Sequence, residues 1–212
     1  MLTRPLPLQP ERADAARNRE ILLKTARRLL ERSGVDGLTM DALAREAGLG
    51  KGTIFRRFGS RNGLVQALIN EIELDFQRHF ISGPPPLGPG ADPIDRLVAF
   101  GRERIRLITL QGDLLRAAEE APETRYTSPA RAASHLHLRV LLRQSDFEGD
   151  TQVLAFTLLA ALDAALVLYE NREAHISMDR LATGWEELIR QVIAPVPSGQ
   201  ARSGGEAVAE PV

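Results

Sequence analysis

Between Leu38 and Leu64 the chain reads LTMDALAREAGLGKGTIFRRFGSRNGL, two short helical patterns joined by a glycine-bearing turn, with a third helix beginning behind them. Thr39 is placed to cap the first helix, because a hydroxyl there can accept a hydrogen bond from a free backbone N–H one turn on. Met40, Leu43, Ala44 and Ala47 recur at helical spacing and give about two turns a single apolar face. Gly48 follows where helices commonly end in a left-handed residue, a conformation that costs glycine little. Leu49 is expected to plug the turn against the first helix, and Gly50 to open a second helix of about seven residues. On that helix Ile54 and Phe58 face inward and leave Lys51, Thr53, Phe55, Arg56 and Arg57 outside. So short a helix with an exposed cationic side gains little as a core element. As a reader of the DNA major groove it makes sense.

The same stretch resembles the DNA-binding half of the TetR family of bacterial transcriptional regulators. The match runs in register through Thr39, Leu43, Ala44, Ala47, Gly48, Gly52, Ile54, Phe58, Ser60 and Leu64, with Leu49 where the family has valine. A run of this length is far more specific than a lone helix-turn-helix pattern. Gly50 stands where the family usually has a serine cap, and Phe55 where it has a tyrosine whose hydroxyl typically meets a phosphate. Arg57 replaces His or Tyr, and Arg61 replaces Lys. One neutral phosphate donor is lost and a cation gained, so the family's electrostatics are kept while its base preference does not carry over. The resemblance covers about the first 75 residues. It implies that Lys51, Thr53 and Arg56 reach base edges or adjacent phosphates, arginine offering guanine a bidentate match. It also implies that Gly52 lets the helix backbone come close, that Gly50 and Phe55 belong to the same surface, and that Thr39, Arg57 and Arg61 face phosphate.

Charge is distributed in the same sense. Residues 1–62 carry 13 Lys and Arg against 7 Asp and Glu, a net of +6, while the remainder carries −7. A basic head on an acidic body orients a molecule in the field of a polyanion. Cysteine is absent, which removes disulfides and thiolate chemistry and suits a cytoplasmic protein. The first twenty residues hold no apolar segment of signal-peptide length. The longest apolar run, Val153 to Leu168, is interrupted by Thr157 and Asp163 and falls short of the roughly 20 residues that span a bilayer. The expectation is a protein without membrane contact. No phosphate-cradling glycine loop, nucleophile elbow or zinc-ligand set is present, so no catalytic or metal residues and no cofactor are assigned.

Helical periodicity continues along the chain and predicts an all-α protein of about nine helices, and the resemblance implies an N-terminal helix-turn-helix domain followed by a larger helical ligand-binding and dimerisation domain. Residues 1–12, with three prolines, read as a flexible arm; 13–62 as the DNA-binding domain; 63–194 as the regulatory and dimerisation domain; 195–212 as a disordered tail. Ser82 to Pro93 holds five prolines and three glycines and can be neither helix nor strand. Asp92-Pro93 and Ser128-Pro129 each supply a helix start. A shorter helix is expected from Gln111 to Glu120. Asp150 is expected to cap one helix running to Asn171, apolar nearly all round, and a last helix follows with Leu181, Trp185, Leu188, Ile189 and Val192 on one broad face.

A helix apolar on every side needs cover on more than one side. The resemblance implies that these last two helices pack across a two-fold axis, giving a homodimer whose two heads meet a palindromic operator in double-stranded DNA. It further implies a small-molecule effector inside the body. Polar residues that interrupt apolar faces are the candidates for that pocket: Tyr126, His135, Arg139, Thr157 and Asp163, with His137 considered beside them. His135 and His137, two apart on a helix, point some 200° apart, which argues against a shared metal ion and reads them as ordinary helix histidines. Asp163, set in LAALDAALVL, must be paired if it is buried. The function so implied is a transcriptional regulator, a repressor released by its inducer. An architectural or partner-binding DNA protein without an inducer is the alternative.

Overall fold

The computed structural model describes residues 10–119 and 128–193, and among these every regular element is a helix. The chain runs α1 (Pro10–Gly37), α2 (Met40–Ala47), α3 (Lys51–Phe58), α4 (Arg61–Ser82), α5 (Pro93–Glu119), α6 (Pro129–Gln144), α7 (Thr151–Ala161), α8 (Ala164–Arg172) and α9 (Met178–Ile193). Most starts are built by the expected caps. Thr39 Oγ1 accepts from Ala42 N at 3.1 Å, Ser60 Oγ from Gly63 N at 3.1 Å and Ser128 Oγ from Arg131 N at 3.2 Å. Asp92 accepts from Ile94 N at 2.8 Å ahead of Pro93, and Asp150 from both Gln152 N and Val153 N. Each satisfies a backbone donor that the first helical turn leaves open.

The expected elements need three corrections, and one expected boundary is seen as a kink. α1 begins at Pro10, so the last part of the arm is already helical; proline suits a first helical position because its missing N–H had no partner to lose. The expected helix start at Gln111 is seen as a kink: α5 joins two helical halves that meet where Gln111 leaves helical geometry at φ −139°, ψ 20°. The apolar stretch after Asp150 is two helices bent 43° apart. Asp163 causes the second break: its carboxylate accepts from Ala165 N at 3.2 Å and starts α8, the local bonding by which Asp favours helix starts over interiors. Leu49 does not fill the α2–α3 turn, since 39% of its surface stays exposed. No single described helix is long and apolar enough to cross a membrane.

Two apolar clusters hold the molecule together. In the first, Leu22, Leu23, Ala26 and Leu29 of α1 meet Leu43, Ile54 and Phe58 and the first half of α4. That cluster does not stop at the head: Ile108, Leu114 and Leu115 of α5 and Val167 and Leu168 of α8 belong to it. The second cluster joins the far end of α4 (Phe76, Phe80) to the start of α5, and to α6, α7 and α9. α4 and α5 therefore run through both, and the bend in α5 lies against the head. At the other end of α5, Gly101 admits the Trp185 indole so closely that a Cβ would overlap it, and Trp185 Nε1 donates to Leu97 O at 3.1 Å.

Candidate nucleic-acid interface

Ile54 and Phe58 anchor α3 in the first cluster, and everything else on the helix points out. Gly48, at φ 64°, ψ 27°, makes the turn in the left-handed region that a Cβ disfavours. Leu49 N donates to Ala44 O at 3.0 Å and fixes the angle at which α3 leaves α2. Gly50 is the cap residue of α3 and, having no side chain, makes no capping bond. Arg61 turns inward: its Nε donates to Leu38 O at 3.0 Å and its Nη2 to Val35 O, so it fastens the α1–α2 connection to the start of α4. Thr39 spends its hydroxyl oxygen on the cap while its O–H remains a donor.

The outer face of α3 has a consistent chemistry. Arg56 and Arg57 are exposed and carry no hydrogen bond or ion pair among the described residues. Thr53 is exposed between them and Lys51, and Phe55 keeps 41% of its surface in solvent. Lys51 is engaged, its Nζ lying 2.6 Å from Asp41 Oδ1 and 6.0 Å from the Phe55 ring centre. Asp41 was not a sequence candidate, yet it sets the competition that any phosphate must win for Lys51; an exposed pair of this kind is worth little and is easily exchanged. Gly52 sits in helical conformation, and a Cβ there would meet nothing within 4 Å. Nothing inside the protein explains a glycine at this site.

The residues expected to line a pocket in the body do not come together. His135 stacks on Phe156 with ring centres 3.9 Å apart, its Nε2 3.2 Å from Gln152 O, on the outer side of the α6–α7 contact. Thr157 is exposed and donates to Val153 O. Asp163, 6% exposed, is occupied in capping α8. Arg139 is half-buried on α6, and Tyr126 lies outside the described residues. His137 packs among aromatic rings, 4.4 Å from Phe80, where burial and the nearby Arg96 charge push its pKa down to about 4.

A hollow of about 110 Å³ lies in the body between α4, α5, α6 and α7. Its polar lining comes from Gln66, Asn70 and Glu73 of α4, Arg104 of α5, and Ser128, Arg131 and Ser134 around the start of α6. Glu73 and Arg104 form an ion pair at 2.6 Å with only 12% and 16% of their side chains exposed, and Arg104 also lies 5.9 Å from the Phe76 ring centre. The sequence held a signal for this wall: Gln66, Asn70 and Glu73 recur at spacings of four and three, a polar stripe beside the apolar face of α4.

Fold and site together define a helix-turn-helix protein with an all-helical body. Residues 22–68 match the family profile described as bacterial regulatory proteins, tetR family. An HTH-type transcriptional regulator of Staphylococcus aureus (strain USA300) is 36% identical over 70 residues, and the aligned part spans 32% of this chain and 37% of that relative. The fold is similar to a TetR-family transcriptional regulator from Pectobacterium atrosepticum, with a TM-score of 0.70, 20% identity, and 87% of this chain and 98% of that one covered. A TetR-family regulator from Rhodococcus sp. gives a TM-score of 0.63 at 21% identity, covering 84% and 100%. Residues 22–68 thus carry the family's sequence signature, and the described helices share the fold of the TetR-family structures.

Proposed function

We propose that this protein is a sequence-specific transcription regulator, a homodimeric repressor that grips a palindromic operator through two copies of α3 and lets go when a small molecule occupies the body. The observation that carries the reading is the outer face of α3: two arginines unpaired among the described residues, a threonine, an exposed aromatic ring, and a glycine that no contact there requires. On this reading Arg56 and Thr53 meet base edges, and Thr39 and Arg57 meet phosphate. Lys51 exchanges Asp41 for DNA, and Arg61 acts by holding the head in shape.

Dimerisation is supported by the apolar surface that the last helices leave uncovered. Trp185, Ile189 and Ile193 of α9 are buried, while Leu188 and Val192 are turned out, as are Val153 and Phe156 of α7 and Leu166 and Tyr169 of α8. Surface of this extent on neighbouring helices points to an isologous partner. For the effector, the cavity between α4 and α7 replaces the positions chosen from sequence. Its small volume favours a compact polar molecule, and equally favours the second reading, a DNA-binding protein of this fold that takes no inducer.

The test is binding to the DNA upstream of the protein's own gene, with excess nonspecific competitor and a salt series. Competitor-resistant binding that Arg56→Ala abolishes supports the regulator, with Arg57→Ala lowering the salt slope by about one contact. Binding that competitor removes entirely favours the second reading, and absence of binding at low salt sinks both.

A further inference from the structure

A larger hollow, of about 410 Å³, opens between the head and the body. This is within the range of roughly 300–1,000 Å³ typical of small-molecule sites, whereas the body cavity falls below it. Arg27, Glu31 and Gly34 of α1 form one wall; Thr109 and Gln111, at the bend of α5, form the opposite one. Asp113 and Arg172 close the rim in a two-bond pair at 2.7 and 3.0 Å. Two polar atoms on these walls are buried without a hydrogen-bond partner, Arg27 Nε and Gln111 Oε1. Native proteins seldom leave such atoms unmatched, because an unmade buried hydrogen bond costs the full desolvation of the group.

Charge in the cleft is already spoken for. Arg27 Nη2 pairs with Glu71 at 3.1 Å, Asp113 pairs with Arg172, and the Thr109 hydroxyl donates to Ile105 O. Glu31 is exposed at the edge. What remains unmet among the buried side-chain atoms is one N–H donor and one acceptor oxygen, while the Glu31 carboxylate stays in solvent at the rim. We infer that this cleft binds a small uncharged molecule of the amide class, such as a lactam, a urea or an oxo-heterocycle, whose carbonyl accepts from Arg27 Nε and whose N–H donates to Gln111 Oε1. The bend makes the site: at φ −139° Gln111 leaves the helical row of α5. Because α1 carries the head and the bend of α5 belongs to the body, an occupant joins the two and resists their relative movement.

The site does not depend on the DNA reading, so it is tested without DNA. The full-length protein is titrated calorimetrically with hypoxanthine, uracil and ε-caprolactam. At least one of these is expected to bind once per chain with Kd below about 1 mM. Gln111→Leu removes the acceptor and Arg27→Lys removes the Nε–H while keeping a charge for Glu71. Each is expected to weaken that binding about tenfold or more, with thermal unfolding recorded for each variant and Arg27→Lys deciding if Gln111→Leu fails to fold. Gln66→Leu, in the other cavity, is expected to leave it unchanged. No binding by any probe below about 1 mM, unaltered affinity in the well-folded variants, or equal loss in Gln66→Leu would overturn the assignment.

Discussion

Gly52→Ala separates stability from recognition more cleanly than any other change in α3. Glycine in a helix costs roughly 0.5–1 kcal/mol relative to alanine, mostly through backbone entropy. A Cβ at this position meets no atom within 4 Å and the backbone is not in the left-handed region, so nothing offsets the gain. Position 52 lies in the first turn, where propensity counts less, and the expected stabilisation is about 0.5 kcal/mol. For a chain of this size that raises Tm by about 1–2 °C. The same methyl group would stand on the face proposed to approach DNA, between Lys51 and Thr53. A methyl forced into a close backbone contact there should weaken specific binding about tenfold or more, equivalent to about 1.4 kcal/mol. Scanning calorimetry and competitor-resistant DNA binding are measured on one preparation. A variant that is more stable and binds DNA as tightly as the parent refutes the close approach. A variant that is less stable refutes the open surroundings of Gly52.

Three further outcomes follow from the packing. His137 is held neutral in the fold at a pKa of about 4 against an ordinary value near 6.5, so the unfolded chain binds more protons between these values. Stability should fall as pH drops from about 6.5 towards 4, by up to about 3 kcal/mol from this group; comparing urea midpoints of wild type and His137→Leu across that window tests it, and parallel pH profiles would reject it. Glu73→Gln removes the carboxylate that neutralises the largely buried Arg104 and should cost about 2–4 kcal/mol, while Glu73→Leu/Arg104→Met, which removes both charges, should recover most of it. A single variant as stable as the parent in chemical denaturation would show that the pair is effectively solvated. Gly101→Ala drives a methyl into the Trp185 indole and should cost about 1–3 kcal/mol; an unchanged unfolding midpoint would mean that α5 and α9 separate freely.

Much of the head was legible in one dimension because its determinants are local. Thr39, Gly48 and Ser60 act on backbone groups within a turn of themselves, and Ile54 and Phe58 need only helical spacing to share a face. The same local rule placed Asp150 and Ser128 correctly as caps. It misled at Asp163, where a polar residue inside an apolar run looked like a pocket residue. The carboxylate instead captures the backbone of the next turn and bends the run into α7 and α8.

The sequence by itself determined an all-helical chain, a helix-turn-helix with its cationic face outward, and the separation of positive head from negative body. Each of these depends on residue spacing or on summed charge, which need no knowledge of neighbours distant in the chain. Tertiary structure decided which cations stay available. Arg61 and Arg56 look alike in sequence, but backbone carbonyls of Val35 and Leu38 occupy one and solvent surrounds the other. It also decided where the hollows lie, since a cavity is bounded by side chains from helices far apart in sequence. The break at Gln111 was legible in the helical pattern, but the cleft it borders beside α1 is bounded by helices that no local pattern brings together.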